Sequence, residues 1–261
     1  MLVLHGGLEN PAFSRLSSGM AALADRATFV AVFPAGTSPL FEDRLLFWHT
    51  EPKATVPADD DADDVAFLRG VLDDLARHAL VDERRVFAAG LSNGGHMAMR
   101  LGCELGDRIS AVAVVAGPRL PTSFQARRPL PLMLVHGLLD PLLAYDGRQP
   151  ASSPLARALA GSPSAPAAAA AWAAHNGADA AHPLHLVRGA ATRTTFVGPA
   201  AGEVMLWSVA DGGHTWPGGT MPPALQTGRL GVFPLPAFGP VSHALDASAE
   251  IWDFFQRHPR R

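Results

Sequence analysis

The stretch RRVFAAGLSNGGHMAMRLGCELG, residues 84–106, decides the fold. It begins as an apolar segment of strand-forming residues, enters the glycine-rich turn Gly90–Gly94 and continues with helical spacing. A strand that turns sharply into a helix with the pattern G-x-S-x-G presents the hydroxyl of its serine, here Ser92, at the helix N-terminus. The two outer glycines leave room for that strained turn. The pattern indicates a serine nucleophile, and a glycine-rich turn without a function is the alternative.

The segments on either side of this stretch alternate between strand and helix patterns. Apolar strand patterns fall at 2–4, 27–36, 109–117, 130–137 and 203–213, and helical patterns at 14–26, 65–75 and 244–258. Such alternation predicts an α/β domain with a mostly parallel central sheet and helices on both faces. Ligands of such domains bind beyond the carboxyl ends of the strands, so the functional residues are expected there.

Composition narrows the function classes. The chain has 261 residues, 48% of them hydrophobic and 17% charged, which suits one domain with a large core. A segment rich in Ala, Pro and Ser at about 147–166 is expected to be a variable insertion within this single domain, 1–261. The net charge of −3 gives no electrostatic reason to expect nucleic acid or an anionic membrane as a partner. No apolar run approaches the roughly 20 residues of a membrane helix.

Cysteine and histidine patterns give no indication of a metal or cofactor. Cys103 is the single cysteine, so it forms no internal disulfide and is expected to pack as a small hydrophobic residue. His182 and His185 have a spacing that a metal could use, but no third ligand is apparent, and they are expected in a solvated loop. We therefore predict no cofactor and no metal site.

A serine hydroxyl needs a base to take its proton, and His214 is the best candidate among the 11 histidines. It lies in the glycine-rich segment ADGGHTWPGG, directly after a late strand. A histidine in a loop after a late strand is the position of the base when the three catalytic residues follow the chain order Ser, Asp, His.

The base in turn needs a carboxylate that fixes its tautomer and stabilises its charge. Asp140 follows a buried strand in HGLLDP and falls between Ser92 and His214 in the chain. Asp146 is the second choice and is more typical of a turn. Asp211 is too near His214 in sequence to reach its ring easily.

Two backbone N–H groups are candidates for holding an oxyanion. One belongs to Asn93, which follows the serine at the start of its helix. The other belongs to the turn His5-Gly6-Gly7 at the end of the first apolar segment, where Gly7 is the preferred donor and Leu8 the alternative. An ordinary glycine turn after a strand would have the same sequence.

Taken together, these motifs resemble the polyhydroxybutyrate depolymerase and feruloyl esterase group of α/β hydrolases. The resemblance is carried by VDERRVFAAGLSNGGHMAMRLGCEL, HGLLDPLLAYDG, GGHTWPGG, DDVAFLRGVLDDL and SHALDASAEIWDFFQRH, in the order of the group. It covers nearly the whole chain and is weakest at 150–200. It implies an α/β-hydrolase fold, a triad of Ser92, Asp140 and His214, and ester hydrolysis through an acyl-enzyme.

Two features depart from that group. Its members often carry several cysteines, whereas Cys103 is the single cysteine of this chain. They usually have one or more strands before the His-Gly segment, so this chain is expected to lack the first N-terminal strands. Leu2 and Val3 are then expected on an exposed sheet edge, which is an association hazard. Members are commonly secreted, and the extracellular expectation rests on the resemblance alone because Met1 is not followed by a signal-peptide pattern.

The substrate is left open between a polyhydroxyalkanoate or other polyester and a feruloyl or short-chain ester. Trp48 and Trp216 are candidates for a flat substrate-binding wall, with packing in the protein interior as the alternative for each. A catalytically decayed carbohydrate- or polymer-binding protein and an acyltransferase with the same triad are the alternative functions. The oligomeric state is not indicated by the sequence.

Overall fold

The computed structural model describes residues 1–37, 45–51, 62–78, 81–121, 128–148, 162–198, 202–221, 229–230, 233–234 and 238–260. Within these ranges the strands are β1 (Leu2–Leu4), β2 (Phe87–Leu91), β3 (Ala111–Val115), β4 (Leu132–Gly137), β5 (Leu184–Arg188), β6 (Ala191–Phe196), β7 (Val204–Val209), β8 (Arg229–Leu230) and β9 (Phe233–Pro234). The helices are α1 (Pro11–Ser18), α2 (Met20–Ala27), α3 (Asp64–His78), α4 (Asn93–Glu104), α5 (Ala165–His175) and α6 (Ala247–Gln256), and a 3-10 helix spans Glu83–Arg85.

Seven strands form one sheet in the order β1-β2-β3-β4-β7-β6-β5. The first five in that order pair in parallel, and β6 and β5 extend the sheet antiparallel. The strands β8 and β9 form a separate antiparallel pair. The mostly parallel sheet predicted from the alternating sequence pattern is therefore confirmed, and the carboxyl ends of β1, β2, β4 and β7 lie at one edge of it.

Helices cover both faces of the sheet because successive strand residues point to opposite sides. One face packs against α3, α4 and α5 through Leu2, Leu4, Ala88, Val112, Val114, Leu132, Leu134 and Leu206. The other face packs against α2 and α6 through Val3, Phe87, Ala89, Ala113, Met133, Val135 and Trp207. Cys103 lies buried in the first of these two core layers, as expected.

The expectation of an exposed edge at Leu2 and Val3 is wrong. Both side chains are fully buried, and the segment around Val32 runs along β1. The Val3 N–H donates to Val32 O at 2.8 Å, and the Val32 N–H donates to Met1 O at 2.9 Å. This segment, expected as a second buried strand at 27–36, makes one parallel bridge and is only partly buried. Without being a full strand, it provides hydrogen-bond partners for Met1 O and the Val3 N–H at the edge of the sheet.

Two other stretches differ from the sequence-based expectation. The helix expected at 14–26 is divided into α1 and α2 by Gly19, whose φ of 66° ends the first helix. Residues 184–196, which showed no clear strand pattern, form the hairpin of β5 and β6 with Gly189 at its turn. His185 therefore lies on an exposed strand and not in a loop. All five residues of β5 are exposed, its leucines and valine included.

The insertion expected at about 147–166 lies mostly outside the described residues. Ser164 caps the start of α5, where its hydroxyl accepts the Ala167 N–H at 3.2 Å. The single-domain organisation remains a prediction. Among the described residues, no helix combines the length and the apolar character that a membrane span requires.

Candidate active site

Ser92 occupies the turn between β2 and α4 with φ 51° and ψ −117°, a backbone conformation that is costly for a residue with a side chain. Its N–H donates to Val115 O at 2.8 Å, which ties the turn to β3. A Cβ atom on Gly90 would overlap the backbone of Gly94, and one on Gly94 would overlap the carbonyls of Leu4 and His5. The two glycines are therefore required by close packing, and the strained serine is held at the helix N-terminus.

His214 and Asp140 form a buried pair at the carboxyl ends of β7 and β4. The Nδ1 atom of His214 lies 2.8 Å from Oδ2 of Asp140, and the two residues are 2% and 5% exposed. The other carboxylate oxygen, Oδ1, accepts the N–H groups of Leu142 and Leu143 at 2.8 Å each. Three contacts, two from backbone N–H groups of one loop and one from the histidine, thus fix the orientation of the Asp140 carboxylate.

This arrangement selects one tautomer of His214. With Nδ1–H donating to a carboxylate, the Nε2 atom of the ring carries the lone pair that can accept a proton. His136 lies against the same loop and carboxylate. Its Nε2–H donates to Leu143 O at 2.8 Å, and its Nε2 lies 3.3 Å from Oδ2 of Asp140. Burial lowers the pKa of His136, so this second histidine is a neutral donor beside the pair.

The electrostatics of the pair favour its ionised form. Burial lowers the pKa of His214, but the charge and hydrogen bond of Asp140, together with the charge of Glu9, outweigh it, and the net pKa is raised. Burial raises the pKa of Asp140, but His214 and the backbone donors outweigh it, and the net pKa is lowered. The carboxylate thus stays charged and stabilises a proton on His214 when one arrives.

The turn after β1 brings Gly7 next to Asn93. A Cβ atom on Gly7 would lie 3.5 Å from Cβ of Asn93. Within the part of the chain that the structure describes, the N–H groups of Gly7 and Asn93 have no hydrogen-bond acceptor. The Leu8 N–H, in contrast, donates to Leu46 O at 2.9 Å, so the alternative donor considered from the sequence is already occupied.

The two other carboxylates considered as partners of His214 are engaged elsewhere. Asp146 is exposed and accepts the Arg148 N–H at 2.9 Å, as a turn residue does. Asp211 accepts the Ser242 hydroxyl at 2.6 Å. Among the described carboxylates, Asp140 is the one that makes a hydrogen bond to His214.

The structure does not place the two tryptophans where a substrate wall would need them. Trp48 is 0% exposed, its Nε1–H donates to His5 O at 3.1 Å, and its backbone is held by both side-chain groups of Asn93. Trp216 is 3% exposed and its Nε1–H donates to Ser248 Oγ at 3.0 Å. Both pack inside the protein, so the expectation that they form the wall is corrected.

Two partly exposed phenylalanines lie at the site instead. The ring of Phe47 packs over Gly7, since a Cβ atom there would be 3.1 Å from Cε1 of that ring. The ring of Phe238 has its centroid 5.9 Å from that of His214, and Phe238 O accepts the His214 N–H at 2.6 Å. Sequence reasoning missed both rings, although Phe47 is the direct neighbour of Trp48.

Glu9 is a further residue that the sequence did not single out. It is 7% exposed, and its Oε2 atom accepts the Gly6 N–H at 2.7 Å. Burial raises the pKa of Glu9 to about 7, although the Gly6 hydrogen bond and the charge of His214 lower it. A buried carboxyl group against the turn after β1 is a feature that no motif in the chain indicates.

Comparison with known proteins gives relatives that are named as esterases. The chain is 35% identical over 237 residues to "Putative esterase NocK" of Nocardia uniformis subsp. tsuyamanensis, covering 85% of this chain and 66% of that protein. It is 34% identical over 109 residues to feruloyl esterase B of Piromyces equi, covering 38% of this chain and 19% of the relative. The chain therefore spans less than two thirds of these relatives. No protein-family model matches it.

Among solved structures, the acetyl xylan esterase from Aspergillus awamori superposes with a TM-score of 0.56 at 15% identity, covering 82% of each chain. That likeness concerns the fold. A mostly parallel sheet with a serine elbow after β2 defines this protein as an α/β hydrolase. Within that class the chain is similar to proteins named as esterases, a feruloyl esterase among them, in agreement with the resemblance of its motifs.

Proposed function

We propose that this chain is a serine esterase that hydrolyses carboxylic esters through an acyl-enzyme, with Ser92, His214 and Asp140 as its triad. The observation that carries the proposal is the buried 2.8 Å contact of His214 with Asp140, at the same sheet edge as the strained Ser92 elbow. The names of the relatives support the reaction class.

The geometry supports a two-stage mechanism. The Ser92 hydroxyl attacks the ester carbonyl while His214 Nε2 accepts its proton, and Asp140 stabilises the resulting imidazolium. The N–H groups of Gly7 and Asn93 hold the negative oxygen of the tetrahedral intermediate. The imidazolium then gives its proton to the departing alcohol, which leaves an acyl group on Ser92. Water, activated by the same histidine, attacks that acyl group and releases the acid.

An ester whose carbonyl is held by Gly7 and Asn93 lies beside the ring of Phe47, which packs over Gly7, and the ring of Phe238, which lies near His214. We propose these phenylalanines, in place of the tryptophans, as the lining of the substrate site. Feruloyl, acetyl and hydroxyalkanoate esters all fit this description. A panel of methyl ferulate, p-nitrophenyl acetate, p-nitrophenyl butyrate and polyhydroxybutyrate would rank them by kcat/KM.

The decisive experiment compares Ser92→Ala with Ser110→Ala. Ser110 precedes β3 at the opposite end of the sheet, and its hydroxyl donates to Arg84 O. We expect Ser92→Ala to abolish both p-nitrophenyl ester hydrolysis and labelling by a fluorophosphonate probe, and Ser110→Ala to retain both. Hydrolysis by the Ser92→Ala protein would disprove the assignment. An unlabelled and inactive wild-type chain would instead favour the binding protein with a decayed site.

A further inference from the structure

The peptide unit between Gly6 and Gly7 is held from its carbonyl side. Gly6 O accepts the Nδ1–H of His5 at 2.8 Å and the N–H of Glu9 at 3.3 Å. His5 is set in the neutral form with a proton on Nδ1, because its Nε2 accepts the Gly36 N–H at 3.0 Å and burial lowers the pKa of His5 to about 4. Since the C=O and N–H of a trans peptide point in opposite directions, fixing Gly6 O also fixes the direction of the Gly7 N–H.

The side chain of Glu9 closes the same turn from its other end. Its Oε2 accepts the Gly6 N–H at 2.7 Å, while its backbone O accepts the Leu46 N–H at 2.9 Å. A Cβ atom on Gly6 would lie 2.9 Å from that carboxylate oxygen, so the carboxylate lies directly against the turn. Glu9 therefore contacts the His5–Gly6 peptide unit through its carboxylate and the Gly6–Gly7 peptide unit through its backbone N–H.

The charge of Glu9 also reaches His214. Each of the two groups shifts the pKa of the other, the carboxylate raising that of His214 and the imidazolium lowering that of Glu9. The other titratable groups that act on His214 or are acted on by it are Asp140, His136 and His96. Of these, burial lowers the pKa of both histidines and keeps them neutral, so Asp140 and Glu9 are the two sources of negative charge.

We propose that Glu9 is a positioning residue of this site: its carboxylate holds the turn that aims the Gly7 N–H, and its negative charge adds to that of Asp140 in shifting the pH at which His214 becomes a competent base. The inference rests on the proposed esterase function. Burial raises the pKa of Glu9 to about 7, so its charge changes around neutral pH.

Two substitutions separate the two effects. Glu9→Gln keeps a carbonyl acceptor for the Gly6 N–H and removes the charge, whereas Glu9→Ala removes both. We expect the acid limb of the kcat/KM profile of Glu9→Gln to move to lower pH by roughly 0.5 unit or more, because a negative charge that favours protonated His214 is lost. We expect Glu9→Ala to lower kcat by about 10-fold or more at every pH with KM little changed, because the Gly7 donor is no longer held.

The matched control is Glu83→Gln, the same change at an exposed site in the 3-10 helix. Its pH profile should coincide with that of the wild type. An unmoved acid limb in Glu9→Gln, with circular dichroism showing a folded protein, would overturn the proposal. So would a Glu9→Ala enzyme with wild-type kcat. Neither result touches the esterase assignment, which stands or falls with the labelling and activity of Ser92.

Discussion

The raised pKa of Glu9 predicts that the stability of the protein depends on pH. A carboxyl group whose pKa differs between the folded and unfolded states makes the free energy of unfolding change with pH. Burial raises the pKa of Glu9 from 4.5 to about 7 in the folded protein. Below pH 4.5 the group is protonated in both states and has no effect. Between pH 4.5 and 7 the unfolded chain releases the proton and the folded one keeps it, so the free energy of unfolding falls as the pH rises through this window.

The size of that fall follows from the shift. One pKa unit corresponds to about 1.4 kcal/mol, so the wild-type protein loses about 3 kcal/mol of stability through Glu9 between pH 4.5 and 8. Glutamine does not titrate. The difference in free energy of unfolding between Glu9→Gln and the wild type should therefore grow by about 3 kcal/mol across this range, in favour of the variant. Any loss from an unsatisfied amide N–H adds a constant that does not depend on pH.

Urea denaturation followed by tryptophan fluorescence at pH 5, 6, 7 and 8 would measure this difference. His5 and His96 change stability with pH in both proteins alike and cancel, whereas the effect of Glu9 on the pKa of His214 is part of the measured difference. Glu83→Gln serves again as the control and should track the wild type. Wild-type and Glu9→Gln curves that stay parallel from pH 5 to pH 8 would refute the reasoning, since the Glu9 carboxyl would then have the same proton affinity in both states.

Three further outcomes test the site. Asp140→Asn should lower kcat on p-nitrophenyl acetate by about three to four orders of magnitude, because His214 loses its preferred tautomer. Asp146→Asn should have the kcat of the wild type, and comparable losses in the two variants would contradict the role of Asp140. Phe47→Ala should raise KM for methyl ferulate about 5- to 10-fold and raise KM for p-nitrophenyl acetate less. KM values equal to those of the wild type on both esters would show that Phe47 does not line the substrate site. Asn93→Ala should lower the free energy of unfolding by about 1–3 kcal/mol in urea, since the Trp48 N–H and C=O lose their partners; an unchanged midpoint would contradict that role.

The parts of this site that were predicted from the sequence are those that short stretches of chain specify. The Ser92 elbow needs glycines at fixed offsets within one strand-turn-helix unit, and the close packing at Gly90 and Gly94 gives the reason. Asp140 and His214 were found because each follows a buried strand, and parallel strands bring their carboxyl ends to one edge. The pairing of these two side chains at 2.8 Å agrees with the sequence-based choice over Asp146 and Asp211.

The tryptophans were misplaced because the sequence does not say which face of an extended segment looks toward the site. Residues 46 and 47 make antiparallel bridges, and neighbouring side chains in such a segment point to opposite sides. Trp48 therefore packs into the core while Phe47 packs over Gly7. A shift of one residue exchanges the two roles, and only the tertiary structure fixes which one is realised.

Glu9 escaped the sequence argument for a different reason. Its environment is made by the turn after β1 and by the histidine loop after β7, which are separated by about two hundred residues in the chain and meet only in the folded protein. A glutamine at this position would accept the same Gly6 hydrogen bond without the loss of stability worked out above. A carboxylate that lowers stability at neutral pH is typical of a functional site, where activity and stability are in conflict. The stability and pH-profile experiments on Glu9→Gln together test whether one charge lowers stability and raises the pKa of His214. If both effects come from the Glu9 carboxylate, the variant is more stable at pH 8 and the acid limb of its kcat/KM profile lies at lower pH.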